Sequence, residues 1–190
     1  MQKKKVEPLS IAYRLLNPGS VVLISVGDGQ RDNLFTVTWN MPLRKDPGMV
    51  AILSGKRHFS YSFIERKGEF GINIPDASIA PAVLGCGTTS GHRVGDKFSL
   101  FGLTRQKAAH IQAPLVVEAI ANLECRVCQV VDLGQSALCI AQIIEAVVNV
   151  EHFQDGNWIF NNGLQLLHHL SGKRFCVSQK EINVQTESRR

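Results

Sequence analysis

Leu115 to Val150 reads LVVEAIANLECRVCQVVDLGQSALCIAQIIEAVVNV, two apolar segments hinged on a polar turn. From Leu115 to Val131 the odd positions carry Leu, Val, Ala, Ala, Leu, Cys, Val, Gln and Val, whereas the even side holds Glu118, Asn122, Glu124 and Arg126. A period of two predicts a long strand with one buried and one polar face. Asp132 to Ser136 supplies turn residues. Ala137 to Val150 is apolar on both faces apart from Gln142, Glu145 and Asn149. A strand buried on both sides in a chain of this length points to barrel closure or a subunit interface.

Working outward, the rest of the chain is also strand-like. Val21–Val26 is a short buried run, and Gly27 to Asn33 is rich in turn residues. Leu34–Trp39 is β-branched and aromatic, as strands prefer. Asn40 to Gly48 holds two prolines and reads as a loop, and Met49–Ser54 as another strand. His58–Lys67 spaces Phe59, Phe63 and Ile64 at helical intervals. Glu69–Ile74 returns to strand until Pro75, and Lys173–Val177 is a last strand. Helix is scarce and no βαβ rhythm exists, so the expected fold is mainly β, a Greek-key barrel with a few short helices. One domain is expected over residues 1–190, with 1–16 and 178–190 as peripheral tails.

The net charge of +5 invites a nucleic-acid reading. Lys3, Lys4, Lys5, Arg189 and Arg190 supply all of that excess, and the remainder balances, 16 basic residues against 16 acidic. The imbalance belongs to the ends, and no nucleic-acid partner is expected. Glu7, Pro8 and Arg14 interrupt any apolar leader, and no run approaches the roughly 20 apolar residues of a membrane span. Five cysteines with no such leader suggest free thiols in a reducing cytoplasm, with no membrane partner.

Three short segments echo one another: Ser54-Gly-Lys-Arg57, Ser90-Gly-His-Arg93 and Ser171-Gly-Lys-Arg174. Their flanks are unrelated, so they are not a structural repeat. The first lies where a strand hands over to a helix, a position whose free N–H groups favour an anion. Ser54, Lys56, Arg57, His58 and Ser60 would supply hydroxyls and charge; the alternative is a solvated basic turn. Gly85 to Phe98 is a glycine- and hydroxyl-rich loop, suited to wrapping a flat polar ligand or else simply flexible. Cys125 and Cys128 have redox or zinc spacing, but three residues apart on a strand they face opposite ways, so no metal is expected. Gly27 to Asp32 lacks the third glycine of a dinucleotide fingerprint. His168 and His169 are either a solvated pair or contribute one ring to a pocket. No triad or carboxylate pair stands out, and no catalytic residue is named.

Taken in order, NPGSVVLISV, NLFTVTW, DPGMVAILSGKRHFSYSFI, GEFGINIP, CGTTSGHRVGDKF, APLVVEAIANLECRV and HHLSGKRF resemble the flavin reductase-like proteins with an FMN-binding split barrel, and especially the flavoredoxin branch. The resemblance runs from about Asn17 to Val177. It implies a Greek-key split β-barrel that forms a homodimer with one FMN per subunit. It further implies that Asn33, Thr36, Val37, Thr38 and Trp39 border the flavin. Ser54, Lys56, Arg57, His58 and Ser60 would hold its phosphate. Cys86, Thr88, Ser90, Gly91, Lys97 and Phe98 would lie beside the ring, with His168 and Lys173 approaching from the C-terminal segment.

The missing acid–base machinery agrees with such a site, because flavin carries its own redox chemistry. The first expectation is therefore an FMN-dependent oxidoreductase that takes hydride from NAD(P)H and passes electrons to an acceptor. The second is a flavoredoxin-type carrier that receives electrons from a protein partner. A third is a flavin-binding or storage module without turnover. The sequence leaves open whether FMN is a bound group or a diffusing substrate, and which nucleotide or acceptor is used.

Overall fold

The computed structural model describes residues 19–160, 163–178 and 180–184. Lys3, Lys4, Lys5, Arg189 and Arg190, like Asn17 and Pro18, lie outside them. The described strands are β1 (Gly19–Ser20), β2 (Val22–Gly27), β3 (Asp32–Val37), β4 (Asn40–Arg44), β5 (Met49–Gly55), β6 (Glu69–Ile74), β7 (Arg105–Gln106), β8 (Leu115–Val116), β9 (Ala121–Leu133), β10 (Ser136–Val148), β11 (Phe153–Gln154), β12 (Asn157–Trp158), β13 (Leu166–Ser171) and β14 (Arg174–Ser178). Three helices interrupt them: α1 (Tyr61–Lys67), α2 (Ala80–Thr88) and α3 (Lys97–Leu100).

The main sheet runs in the order β3-β2-β6-β9-β10-β5-β4. Its two edges, β3 and β4, are consecutive in the chain, with only Thr38 and Trp39 between them. That link reaches at most about 10 Å, whereas the edges of a flat seven-stranded sheet would stand about 28 Å apart. The sheet must therefore roll until its edges meet. Leu53 N–H donates to Trp39 O at 3.0 Å, which carries the β4–β5 pairing back into that link. No ladder joins β3 to β4 among the described pairings, so the barrel is split there. The β9–β10 hairpin sits between β5 and β6, which gives the Greek-key crossing. The fold is mainly β, a split barrel.

Two apolar layers share the β2–β3 wall. Inside the barrel, Ile24, Phe35, Ile52, Phe70, Cys125 and Cys139 pack with Phe63 and Ile64 of α1. On the outer side, Leu23 and Leu34 pack with Val83 and Cys86 of α2, Phe98 of α3 and Leu167 of β13. This second layer buries every residue of β2, which explains its unbroken apolar run.

Several sequence expectations change here. The strand expected over Leu115–Val131 is broken: β8 pairs with β7, and a turn through residue 120 restarts the chain as β9. Asn122 and Glu124 lie on the nominally polar face yet are buried. Asn122 Nδ2 donates to Asn73 Oδ1 and Val116 O, both at 2.9 Å. Glu124 accepts the N–H groups of Ala109 and His110. Buried polar groups persist when so paired. β10 stops at Val148, and its outer side is half-buried rather than buried. Asn40–Arg44 is a strand and not a loop; Pro42 is tolerated because β4 is an edge. The helix expected from His58 begins at Tyr61, because the preceding residues form a turn. Gly85 to Thr88 close α2 instead of opening a loop.

Candidate functional site

At the free edge of β3, between that strand, the turn before α1 and the end of α2, lies a cavity of about 240 Å³. β3 contributes Asn33 and Phe35 from its inner face and Thr36 from its outer face. Thr36 Oγ1 donates to Val83 O and so fixes α2 against the strand. Arg57, His58, Phe59 and Ser60 form one side; Cys86 to Gly91 and Lys97 form the other.

The turn from Lys56 to Ser60 is built to leave donors over. Lys56 N–H bonds to Gln135 O, His58 N–H to Gly55 O and Tyr61 N–H to His58 O. The N–H groups of Arg57, Phe59 and Ser60 have no acceptor among the described residues. Ser60 occupies the N-cap of α1, but its hydroxyl does not cap the helix. It accepts instead from Asn33 Nδ2 at 2.6 Å, which ties the turn to β3. Gly91 packs so closely that a Cβ there would stand 2.5 Å from Phe59 and 2.9 Å from Asn33.

Lys97 is 3% exposed. Its ammonium donates to Leu34 O at 2.7 Å and Cys86 O at 2.9 Å. Burial holds its pKa below the ordinary lysine value, with the nearby Cys86 thiol opposing that shift. The third ammonium proton has no acceptor among the described residues. Burial also pushes the Cys86 thiol up to about 12, so it lines the cavity as an inert neutral group. No carboxylate lines the cavity, whereas Arg57 and Lys97 do. Its field is positive, and an anionic ligand with a flat aromatic part suits Phe35, Phe59 and the converging donors.

Ten of the expected site residues meet in this cavity: Asn33, Thr36, Arg57, His58, Ser60, Cys86, Thr88, Ser90, Gly91 and Lys97. Others do not line it. Val37 and Phe98 are in the two apolar layers. Ser54 is buried on β5, and Trp39 is 55% exposed at the seam. Lys56 turns away to pair with Asp132 at 2.6 Å. Thr38 lines a neighbouring cavity that shares Thr36, Gly87 and Thr88 with the first. His169 and Gly172 line that cavity too, while His168 faces the opposite side of β13, where Nε2 meets Ser178 Oγ at 2.7 Å. Lys173 is exposed in the hairpin turn between β13 and β14. The three Ser-Gly-basic-Arg segments thus differ: the first two border the main cavity, and the third is a hairpin turn beside its neighbour.

Phe59 is not among the expected site residues, and of the His168–His169 pair it is His169, not the expected His168, that lines the neighbouring cavity. Phe59 looks like a core position by helical spacing, but it precedes α1 and faces the cavity. There the guanidinium of Arg31 lies 5.3 Å above its ring, and the His92 ring meets it edge-on at 5.0 Å. Cys125 is buried and Cys128 exposed, so the pair does not converge.

A family model described as the flavin reductase like domain matches residues 14–176. The protein YddH of Escherichia coli is 33% identical, over 90% of this chain and 93% of its own. Among solved structures, the FMN-binding domain of a flavin reductases-like enzyme from Shewanella baltica superposes with a TM-score of 0.80 at 26% identity, covering 95% of this chain and 96% of that one. Flavoredoxin of Desulfovibrio vulgaris superposes with a TM-score of 0.83 at 23% identity, covering 98% of each chain.

Proposed function

This chain belongs to the flavin reductase-like family, and from that premise we propose that it is an FMN-binding flavoprotein oxidoreductase that accepts hydride from NAD(P)H. The observation that carries the reading is the carboxylate-free cavity on which Arg57, Lys97 and three spare backbone N–H groups converge. Those groups fit a phosphorylated flavin. Arg57, His58 and Ser60, steadied by Asn33, would hold the phosphate. Thr36, Lys97 and the Cys86 to Gly91 segment would border the ring system, with Phe59 beside it.

Bound FMN supplies the hydride and electron chemistry. The chain's own residues bind, orient and bias charge. Lys97 places a positive charge in a water-poor wall, where it favours negative charge on its neighbour. Its two carbonyl bonds hold α3 and the end of α2 to β3, so the wall is set before a ligand arrives. Ordinary acid–base groups are not required of such a site. Arg57, His58 and Ser90 are exposed, so the cavity is open to a small donor such as a reduced nicotinamide.

Met41 and Leu43 on the edge strand β4, with Val130 and Leu133 on β9, are apolar and exposed. A homodimer would cover such surface, and sedimentation velocity tests it: a monomer throughout the micromolar range would remove it from the reading. Five free thiols suit a reducing cytoplasm. No helix among the described residues is long and apolar enough to cross a membrane.

The deciding experiment is a visible spectrum after incubation with FMN and desalting, recorded anaerobically before and after NADPH or NADH. Retained flavin that bleaches supports the reductase and identifies its donor. Retained flavin that stays oxidised assigns the chain to a flavoredoxin-type carrier with a protein partner, or to storage. Neither retained flavin nor turnover with added flavin would refute the proposal.

A further inference from the structure

A second groove, of about 600 Å³, adjoins the first behind the Arg31–Phe59 stack. Its near wall is the turn into β3. Asp28 Oδ1 accepts the N–H groups of Gln30 (3.1 Å) and Arg31 (2.9 Å), which fixes how Arg31 is presented. Its far wall is the segment from Lys107 to Pro114. Buried Glu124 holds that segment through the N–H groups of Ala109 and His110, and Glu69 through that of Gln112.

The two walls are bolted together. Arg105 donates to both Asp32 oxygens at 2.8 and 2.9 Å and to Asp96 at 2.7 Å. Those partners raise the Arg105 pKa, and Arg105 in turn holds Asp96 well below the carboxylate range. The charges of Arg105 and Asp32 are therefore spent on each other and on Asp96. Arg31 and Lys107 also line the groove, and neither makes an ion pair among the described residues. Ile111 gives it an apolar floor, and Gln106 and Gln112 add amides that can donate and accept.

From a preformed groove with two cations that make no ion pair among the described residues, an apolar floor and side-chain amides, next to a flavin-type cavity, we infer that it binds the adenylate half of a dinucleotide. Arg31 and Lys107 meet the phosphates, Ile111 packs under the adenine, and the amides read polar edges. The other half of the same molecule reaches past Phe59 into the first cavity. The inference rests on the flavin reading of that cavity. Two molecules carry the shared chemistry: FAD, and the NADPH donor.

Wild-type protein and the Lys107→Glu variant are titrated with FMN, with FAD, and with ADP-ribose 2′-phosphate, by flavin fluorescence or calorimetry. Lys107 is exposed, and unchanged FMN binding shows that the variant is folded. At least one adenylate ligand should lose about tenfold in affinity, more at low salt than at high, while FMN changes less than about twofold. Loss confined to FAD assigns the groove to the flavin; loss with ADP-ribose 2′-phosphate assigns it to the donor. An Arg31→Glu variant should weaken the same ligand. Equal binding of both adenylate ligands by wild type and variants, or binding of neither, overturns the inference, and intact FMN binding then leaves the proposed function standing. Failure of FMN to bind wild type counts against the proposed function alone, because ADP-ribose 2′-phosphate still decides the groove.

Discussion

Replacing Lys97 by Met keeps the buried aliphatic stem and removes the ammonium. Two backbone carbonyls, Leu34 O and Cys86 O, then lose their donor. Hydrogen bonds from a charged group contribute about 1.5–3 kcal/mol each. Part of that loss is offset, because the ammonium's burial, which already depresses its pKa, is no longer required. The net destabilisation should be about 2–4 kcal/mol. For a chain of this size each kcal/mol moves Tm by about 2–4 °C, so Lys97→Met should melt about 5–15 °C lower than wild type. Thermal unfolding followed by circular dichroism, without added flavin, reads this directly. A second effect is separate: FMN should bind more weakly to the variant even well below its Tm, because a positive charge has left a cavity with no carboxylate. A Tm within about 2 °C of wild type would show that both carbonyls are satisfied without Lys97. FMN affinity unchanged at the same time would refute its role in the cavity's field as well.

Burial raises Cys86 and Cys125 to about 12 and Cys139 to about 11, against 9.0 for an unhindered thiol. The stability this contributes is whole below pH 9 and lost as pH rises through the folded values, by about 1.4 kcal/mol per pH unit for each thiol. Urea midpoints should therefore fall between pH 8 and pH 10.5, and Cys139→Ala should make that fall shallower; parallel slopes would contradict the assignment. Gly91→Ala drives a methyl into Phe59 and Asn33. FMN affinity should drop by more than about tenfold with a Tm change of only a few degrees, and an equal affinity would show that the cavity yields there. Asn73 is fully buried and joins Leu23 O, Ser25 Oγ, Val116 N–H and Asn122 Nδ2. Asn73→Leu should cost about 3–5 kcal/mol in urea unfolding; less than about 1 kcal/mol would mean the network relaxes around the leucine.

The order of apolar runs disclosed the barrel, because β2 and β3 each bury at least one whole face, β5 and β6 bury most of one, and all four so write their period into the chain. The edge strand β4 stayed hidden: with little to bury and Pro42 in its middle, nothing in Asn40–Arg44 distinguishes a strand from a loop. Asn122 and Glu124 misled for the opposite reason. Their partners, Asn73 and the segment after Lys107, are distant in sequence, so burial could not be foreseen from a polar stripe. Which segments meet at the cavity could be read, but which side chains turn toward it could not. Arg57 enters while its neighbour Lys56 is drawn off by Asp132. On β13, a single step of register decides between His168 and His169, and sequence alone cannot count that step.

The β9–β10 hairpin lies between two halves of the sheet that are made much earlier. During synthesis β2, β3 and β6 can pair, and β4 can pair with β5, but each group ends in an open edge. β5 pairs with β10 and β6 with β9. About 80 residues, some 4–16 seconds of synthesis at ordinary ribosomal rates, separate Gly55 from its partner Ser136. Until then the nascent chain carries two unsatisfied β-edges within reach of other chains. A ribosome stalled before residue 148 therefore releases an aggregation-prone fragment rather than a smaller barrel, and the last hairpin to emerge is the one that makes the wall continuous.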